Sequence, residues 1–176
     1  MPYWRLSGFY LFYFATLGAI LPYWPVYLQN LQLSATQIGE LMAILMATKI
    51  VAPVFWGWLA DRTGRGLVLF HWANFLAALS FCFVLFAHRF WSLAIIMAVF
   101  SFFWNAALPQ IEVITLNHLS HQPPLYTRVR LCGSIGFILS VVIVGLCLEF
   151  FQPRLIPYTA LGLLLGIGLV GLKIPS

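Results

Sequence analysis

The segment Gly57-Trp58-Leu59-Ala60-Asp61-Arg62-Thr63-Gly64-Arg65 ends one long apolar run, residues 38–59, and leads into another, residues 67–87. It carries three charged side chains, which are costly in the hydrocarbon core of a bilayer. Each flanking run has roughly the 20 residues that a helix needs to cross that core. The charged part is therefore expected to be a loop outside the membrane, joining two membrane-spanning helices.

Glycines and one carboxylate of this segment have predicted local roles. Gly57, near the end of a helix, permits the close approach of another helix because it has no side chain. Asp61 is expected at or near the N-terminus of a short helix or turn, within reach of Arg62, Arg65 or backbone N–H groups. Gly64 permits a positive φ in the tight reversal.

Apolar runs of similar length recur along the whole chain. They occupy about residues 6–28, 38–59, 67–87, 91–116, 129–150 and 157–172. Such runs form helices, because each backbone polar group in lipid needs a partner within the protein. The sequence therefore predicts an all-α membrane protein in which residues 1–176 form a single bundle of six transmembrane helices.

Local signals predict where two of these helices start. Ser34 followed by Gln37 is typical of a capping box, so the second helix should start near Ala35. The two prolines of residues 121–127 indicate a loop that ends at Thr127, which is expected to cap the fifth helix.

The composition disfavours several other classes of protein. Mean hydropathy is +0.97, and charged residues make up 7% of the 176 residues, against roughly 25% in a soluble domain. Disorder is excluded because disordered chains are polar and poor in aromatic residues. The nine basic residues form no stripe, which disfavours nucleic-acid binding. The three cysteines lack the spacing of metal ligands, and neither a metal nor a cofactor is expected.

The distribution of Lys and Arg predicts the orientation of the chain. With the N-terminus inside, two basic residues lie outside, Arg89 and Arg154, and Lys49 lies within a span. The six at cytoplasmic ends are Arg5, Arg62, Arg65, Arg128, Arg130 and Lys173. Both termini are therefore expected in the cytoplasm.

Residues 57–65 read G-x-L-a-D-R-x-G-R, which resembles the signature loop of the major facilitator superfamily. That signature continues with another basic residue, and Gly66 stands in its place here. The resemblance implies half of a twelve-helix fold built from 3+3 repeats. It also implies that this gating loop contacts the other half of the transporter and helps to hold the outward-facing state. The residues that carry the resemblance are Gly57, Asp61, Arg62, Gly64 and Arg65.

Three further stretches resemble the phenylpropionate permease branch of this superfamily, which is related to lactose permease. They are YFATLGAILPYWPVYL at residues 13–28, NAALPQIE at residues 105–112 and RVRLCGSIGF at residues 128–137. The resemblance implies that Arg130 binds substrate. Leu116 stands where lactose permease has a sugar-binding carboxylate, which weakens the case for a galactoside.

Four polar residues within the predicted spans are candidates for substrate binding and proton coupling: Lys49, Asn105, Glu112 and Arg130. A lysine at mid-span costs roughly 3 kcal/mol, so Lys49 should face the bundle interior, either lining the cavity or pairing with a carboxylate such as Glu112. Glu112 and Arg130 lie at similar depth on consecutive antiparallel helices, where a changing pair would couple protonation to conformation. The alternatives are an Arg130 that snorkels to the headgroups and an Asn105 that bonds another helix.

The leading hypothesis from the sequence is half of a proton-coupled symporter for a small organic acid, aromatic acids included. It needs a second six-helix half, either another copy or a separate C-terminal half, and belongs in a bacterial inner or plasma membrane. One alternative is a truncated or structural six-helix protein that does not transport. The other is an intramembrane enzyme, for which Ser134 has no histidine clearly within a span and HExxH is absent.

Overall fold

A computed structural model describes residues 3–119 and 123–172, and all regular secondary structure in these residues is helical. A 3₁₀ turn at Phe83–Phe86 extends the fourth α-helix. The α-helices are α1 Tyr3–Ile20, α2 Trp24–Asn30, α3 Ala35–Thr63, α4 Gly66–Cys82, α5 Phe90–Leu119, α6 Pro123–Phe150 and α7 Leu155–Gly171.

The described residues contain four segments long and apolar enough to cross a membrane, or five if one broken span is counted. The four are Ala35–Thr63, Gly66–Phe86, Phe90–Asn117 and Pro124–Phe150. α1 and α2 pass the same test only together, and α7 has 17 residues. Residues 3–119 and 123–172 therefore contain seven α-helices, where six transmembrane helices were expected. The first predicted span is split because Pro22 has no N–H with which to continue α1.

The prediction for the start of α3 is confirmed, whereas the one for α6 is wrong. Ser34 Oγ accepts a hydrogen bond from the Gln37 backbone N–H, and the Gln37 side chain accepts one from the Ser34 N–H. α6 begins at Pro123, so Thr127 lies inside the helix and not at its N-cap position. Proline is well tolerated in a first helical turn, where its missing N–H would have no intrahelical partner.

The charged segment is also more helical than expected. α3 continues to Thr63, which places Asp61 in its last turn rather than at a helix N-terminus. The reversal consists of Gly64 and Arg65, since α4 begins at Gly66. Gly64 has φ +62° and donates its backbone N–H to the Ala60 carbonyl, so its predicted positive φ is confirmed.

The described contacts divide the chain into two compact units, Met1–Tyr23 with Ile111–Ser176 and the uninterrupted Trp24–Gln110. In the first unit, α1 packs along α6 and α7. Gly136 of α6 lies against the Leu11 backbone of α1, where a Cβ would collide with the Leu11 carbonyl. Helices that meet through glycine come close enough for extensive van der Waals contact.

The second unit, Trp24–Gln110, is held by aromatic packing and by hydrogen bonds to backbone carbonyls. Phe81 lies 5.5 Å from the Trp24 ring and 4.7 Å from the Phe100 ring. Trp56 Nε1 donates to the Phe102 carbonyl at 3.0 Å, and Gln110 Nε2 donates to the Trp56 carbonyl at 3.2 Å. These bonds tie α3 to α5 and give buried polar groups the partners that they need in lipid.

Large apolar side chains remain on the surface of the helices. Ile50 is 75% exposed and Val54 is 74% exposed, both on α3. Exposed apolar patches of this extent are typical of surfaces that meet lipid or another protein.

Candidate functional site

An ion pair within the apolar segments joins α5 to α6 in the first unit. Glu112 Oε1 accepts a hydrogen bond from Arg130 Nη1 at 2.7 Å. Glu112 lies seven residues before the end of α5, and Arg130 lies seven residues after the start of α6. At 1.5 Å per residue, each is about 10 Å from its helix end. The structure thus brings together the two residues that the sequence placed at similar depth.

Tyr126 completes this site, and the sequence analysis missed it. Arg130 Nη1 also donates to the Tyr126 hydroxyl at 2.8 Å. The two residues are four apart on α6, a spacing that puts side chains on one helix face. The signal was present but hidden, because Tyr126 was assigned to a loop. The Tyr10 hydroxyl on α1 also interacts electrostatically with Glu112 and Arg130.

The arginine of this site is accessible and only partly engaged. The Arg130 side chain is 50% exposed, and that of Glu112 is 30% exposed. Both hydrogen bonds from Arg130 use Nη1, and within residues 3–119 and 123–172 no further acceptor engages its Nε or Nη2. A guanidinium presents a fork of N–H groups that suits a carboxylate or a phosphate. Arg130 therefore keeps donors available for an anionic ligand.

Asn105 belongs to a buried hydrogen-bond network between α3 and α5 in the second unit. Its Nδ2 donates to Thr48 Oγ1 at 3.2 Å, and Thr48 Oγ1 donates to Ser101 Oγ at 2.8 Å. Asn105 is 6% exposed. This is the helix-to-helix bonding that the sequence left as an alternative. Thr48 and Ser101 were missed, although Ser101 precedes Asn105 by one helical turn.

Lys49 lies at mid-length in α3, beside Thr48 but outside its network. Lys49 is partly buried, and within the fully described unit Trp24–Gln110 it has no hydrogen-bond or ion-pair partner. An ammonium without a partner in a membrane-spanning segment needs water, a ligand or another protein group to solvate it. Any hydrogen-bond or ion-pair partner of Lys49 therefore does not come from the unit Trp24–Gln110.

The charged residues of the expected gating loop, Asp61, Arg62 and Arg65, are exposed, whereas Gly57 is partly buried. Asp61 has no ion-pair partner in the part of the chain that the structure describes, and the Arg62 guanidinium lies 5.4 Å from the Trp58 ring centre. A Cβ on Gly57 would meet no described atom within 4 Å. The close approach expected at Gly57 therefore does not come from the described part of this chain.

No group of three or more His, Cys, Asp or Glu that could hold a metal ion occurs in residues 3–119 and 123–172. Lys173, one of the predicted cytoplasmic cations, lies outside the described residues.

Comparisons with known proteins place this architecture among membrane transporters. The chain is 32% identical to maltose permease of Geobacillus stearothermophilus over 138 residues, which cover 78% of this chain and 35% of that protein. It is 26% identical over 159 residues to the probable 3-phenylpropionic acid transporter of Escherichia coli K12, and these residues cover 87% of this chain and 40% of that protein. The chain thus spans less than half the length of these relatives.

The fold agrees with that of solved transporters. The nucleoside transporter NupG superposes with a TM-score of 0.90 at 19% identity, covering 99% of this chain and 44% of NupG. The MFS_1-like family model matches residues 3–176. The chain is therefore a multi-pass membrane protein that belongs to the MFS_1-like family of the major facilitator superfamily, whose named relatives here are permeases and transporters.

Proposed function

We propose that this chain forms one half of a proton-coupled symporter for a small organic acid, aromatic acids included. In this proposal residues 1–176 act as a single six-helix bundle. Its spans are α1 with α2, α3, α4 with its 3₁₀ turn, α5, α6 and α7. Both termini lie in the cytoplasm, and the membrane is a bacterial inner or plasma membrane. The coverage of 35–40% of each permease relative supports the half-length assignment.

The observation that carries the proposal is the partly engaged Arg130 beside Glu112. Its free N–H groups fit a substrate carboxylate in two-point contact, and that fit favours an organic acid over a neutral solute. An aromatic acid agrees with the 26% identity to the probable 3-phenylpropionic acid transporter.

The same ion pair provides a route to proton coupling. In the described structure the Glu112 carboxylate has the Arg130 guanidinium as its counter-ion, 2.7 Å away. In the proposed cycle a substrate carboxylate takes over Arg130, and Glu112 takes up a proton in place of this counter-ion. Substrate and proton then bind together, as symport requires. Lys49 offers a second cation for the substrate, while Asn105 positions α3 against α5 near Lys49.

A second half completes the proposed transporter. Superfamily-type transport rocks one half against the other around a central site, so six helices supply one wall only. Gly57 and the exposed Asp61 and Arg65 then form part of the contact with that half, which is either a second copy of this chain or a separate C-terminal half. Without it, the charged side chains within the spans, Lys49, Glu112 and Arg130, would face lipid at a cost of a few kcal/mol each.

A disaccharide is the second candidate substrate, because the chain is 32% identical to maltose permease. A carboxylate is an effective acceptor for sugar hydroxyls, and lactose permease has one at the position that Leu116 occupies here. Leu116 lies one turn beyond Glu112 and is 50% exposed, but its apolar side chain offers no acceptor to a sugar. The available donors on Arg130 favour the acid.

Proteoliposomes test these alternatives. The chain is reconstituted alone and together with the part of the E. coli relative that it does not match, and uptake of 3-phenylpropionate and maltose is measured under an inward proton gradient. We expect the proteoliposomes to accumulate 3-phenylpropionate, and a protonophore should abolish this accumulation. Glu112→Gln should still exchange the acid across the membrane but should not accumulate it. Accumulation of maltose alone would establish the disaccharide, and no uptake in either assembly would favour the non-transporting alternative.

A further inference from the structure

A continuous surface groove follows α5 in the unit Trp24–Gln110. It consists of two adjoining cavities of about 390 and 290 Å³, which share Phe83 and Ile96 as lining residues. The larger cavity lies at the turn between Phe86 and α5, and the smaller one lies between α4 and α5. All lining residues belong to one compact unit.

The two ends of the groove differ in chemistry. The end at the turn is lined by His88, Arg89 and Ser92. The Arg89 side chain has no hydrogen bond or ion pair among residues 3–119 and 123–172, and neither lining contains a carboxylate. His88 Nδ1 contacts the Phe86 carbonyl at 3.1 Å, so its Nε2 is available.

The other end of the groove is apolar. Its lining side chains are Leu76, Leu79, Phe83, Ile95, Ile96, Val99 and Phe103, with Ser80 as the one polar member. The Ser80 hydroxyl is already engaged with the Leu76 and Ala77 carbonyls at 2.7 and 3.0 Å. This part of the groove therefore offers a polar ligand no unengaged donor.

The length of the groove matches one leaflet of a bilayer. Ser92 and Phe103, which line its two ends, are eleven residues apart on α5. At 1.5 Å per residue this is about 16 Å, roughly half of the 30 Å hydrocarbon core. The groove therefore has a cationic end at Arg89 and an apolar part, here called the trough. Together they have the dimensions of a single lipid molecule.

We propose that this groove binds one anionic phospholipid. The headgroup phosphate contacts Arg89 and His88, and an acyl chain lies along Leu79, Ile95 and Val99. An unpaired guanidinium favours a net negative headgroup over a zwitterionic one, because the ammonium of a zwitterion would add a second cation beside Arg89. The site does not depend on transport or on the position of Glu112 and Arg130, so it stands apart from the proposed function.

Native mass spectrometry of the delipidated full chain in detergent tests this proposal. The protein is titrated with phosphatidylglycerol and with phosphatidylcholine of identical acyl chains. We expect one phosphatidylglycerol to be retained at least tenfold more tightly than phosphatidylcholine. Arg89→Gln should remove this preference, and Val99→Trp should weaken both lipids by filling the trough.

Arg154→Gln is the matched control, because Arg154 is an exposed arginine at another turn, between α6 and α7. It should leave the preference unchanged, and circular dichroism should show each variant to be folded. Equal retention of the two lipids, or an equal loss in Arg154→Gln, would overturn the proposal. Binding of inorganic phosphate as tight as that of the lipid would also overturn it, since the trough would then contribute nothing.

Discussion

Arg130 donates from both hydrogens of one nitrogen, Nη1, to Glu112 and Tyr126, and this arrangement defines the chemistry of the site because Nε and Nη2 keep their donors. The Glu112–Arg130 pairing could be predicted because charges within apolar runs are rare and their depths can be counted from the sequence. Thr48 and Ser101 could not be singled out in the same way, because serine and threonine hydroxyls in helices commonly bond their own backbone and so carry little information by themselves. Tyr126 was not singled out because the two prolines before it suggested a loop.

Replacing both members of the ion pair should cost no more than replacing either one. Glu112→Gln or Arg130→Gln alone leaves a charge without its partner within a membrane-spanning segment, whereas the double variant leaves none. We expect each single variant to weaken 3-phenylpropionate binding at least tenfold, with no further loss in the double variant. Isothermal titration in the reconstituted assembly measures this.

Glu149→Gln is the control for this cycle, because Glu149 is an exposed glutamate near the end of α6. It should bind substrate as the unmodified chain does. Strictly additive losses from Glu112→Gln and Arg130→Gln would show that the two side chains do not act as a pair.

Lys49→Ala should abolish uptake while leaving the protein folded. Lys49 has no hydrogen-bond or ion-pair partner within its unit, so its removal breaks no polar contact there and relieves the cost of a mid-span charge. Proteoliposome uptake and thermal unfolding in detergent are measured together, with Ile50→Ala as the control because Ile50 is 75% exposed. Normal uptake by Lys49→Ala would show that the lysine does not take part in transport and serves only the structure or the orientation of the chain in the membrane.

Helix ends show where sequence signals are strong and where they mislead. The Ser34 capping box predicted the start of α3, because a hydroxyl and an amide three residues apart satisfy two otherwise unpaired N–H groups. Charge and proline suggested loops at Asp61 and Pro123, yet both residues are helical. A helix that emerges from lipid can continue into water, so polarity marks the edge of the membrane rather than the end of the helix.

The reversal after α3 should depend on Gly64 and not on Gly57. Gly64 has φ +62°, where alanine costs roughly 1–2 kcal/mol, so Gly64→Ala should lower the unfolding temperature. Gly57 lies within α3 with open space around it, so Gly57→Ala should be neutral or stabilising. Thermal unfolding in detergent compares the two, and equal destabilisation would contradict the assigned backbone roles.

At the scale of the whole molecule, the family and the helical class could be predicted from the motif at residues 57–65 and from the apolar runs. The number of spans could not be predicted as well. α1 and α2 form a broken pair, and α7, with 17 residues, extends only about 25 Å. Hydropathy alone cannot separate a broken or short span from a straight one, because all of them present similar apolar length.

Thr63 and His88 should lie on opposite sides of the membrane. Both are exposed, and they flank the 21-residue segment Gly66–Phe86, which is about 31 Å long. In a cysteine-free background, Thr63→Cys should react with an impermeant thiol reagent from the cytoplasmic side and His88→Cys from the outer side. Labelling from one side only would contradict both the span and the orientation.

The close contact between Leu11 and Gly136 has a consequence for biosynthesis. These residues are 125 positions apart in the chain, so at roughly 5–20 residues per second α1 is made some 6–25 s before its main packing partner. During that interval α1 must remain at the translocon or in lipid, and the α1 side chains that later pack against α6 have no partner. Ribosome-stalled chains that end before residue 123 should leave a cysteine at Phe14, whose side chain lies against Gly133 of α6, reactive, and chains that include α6 should protect it.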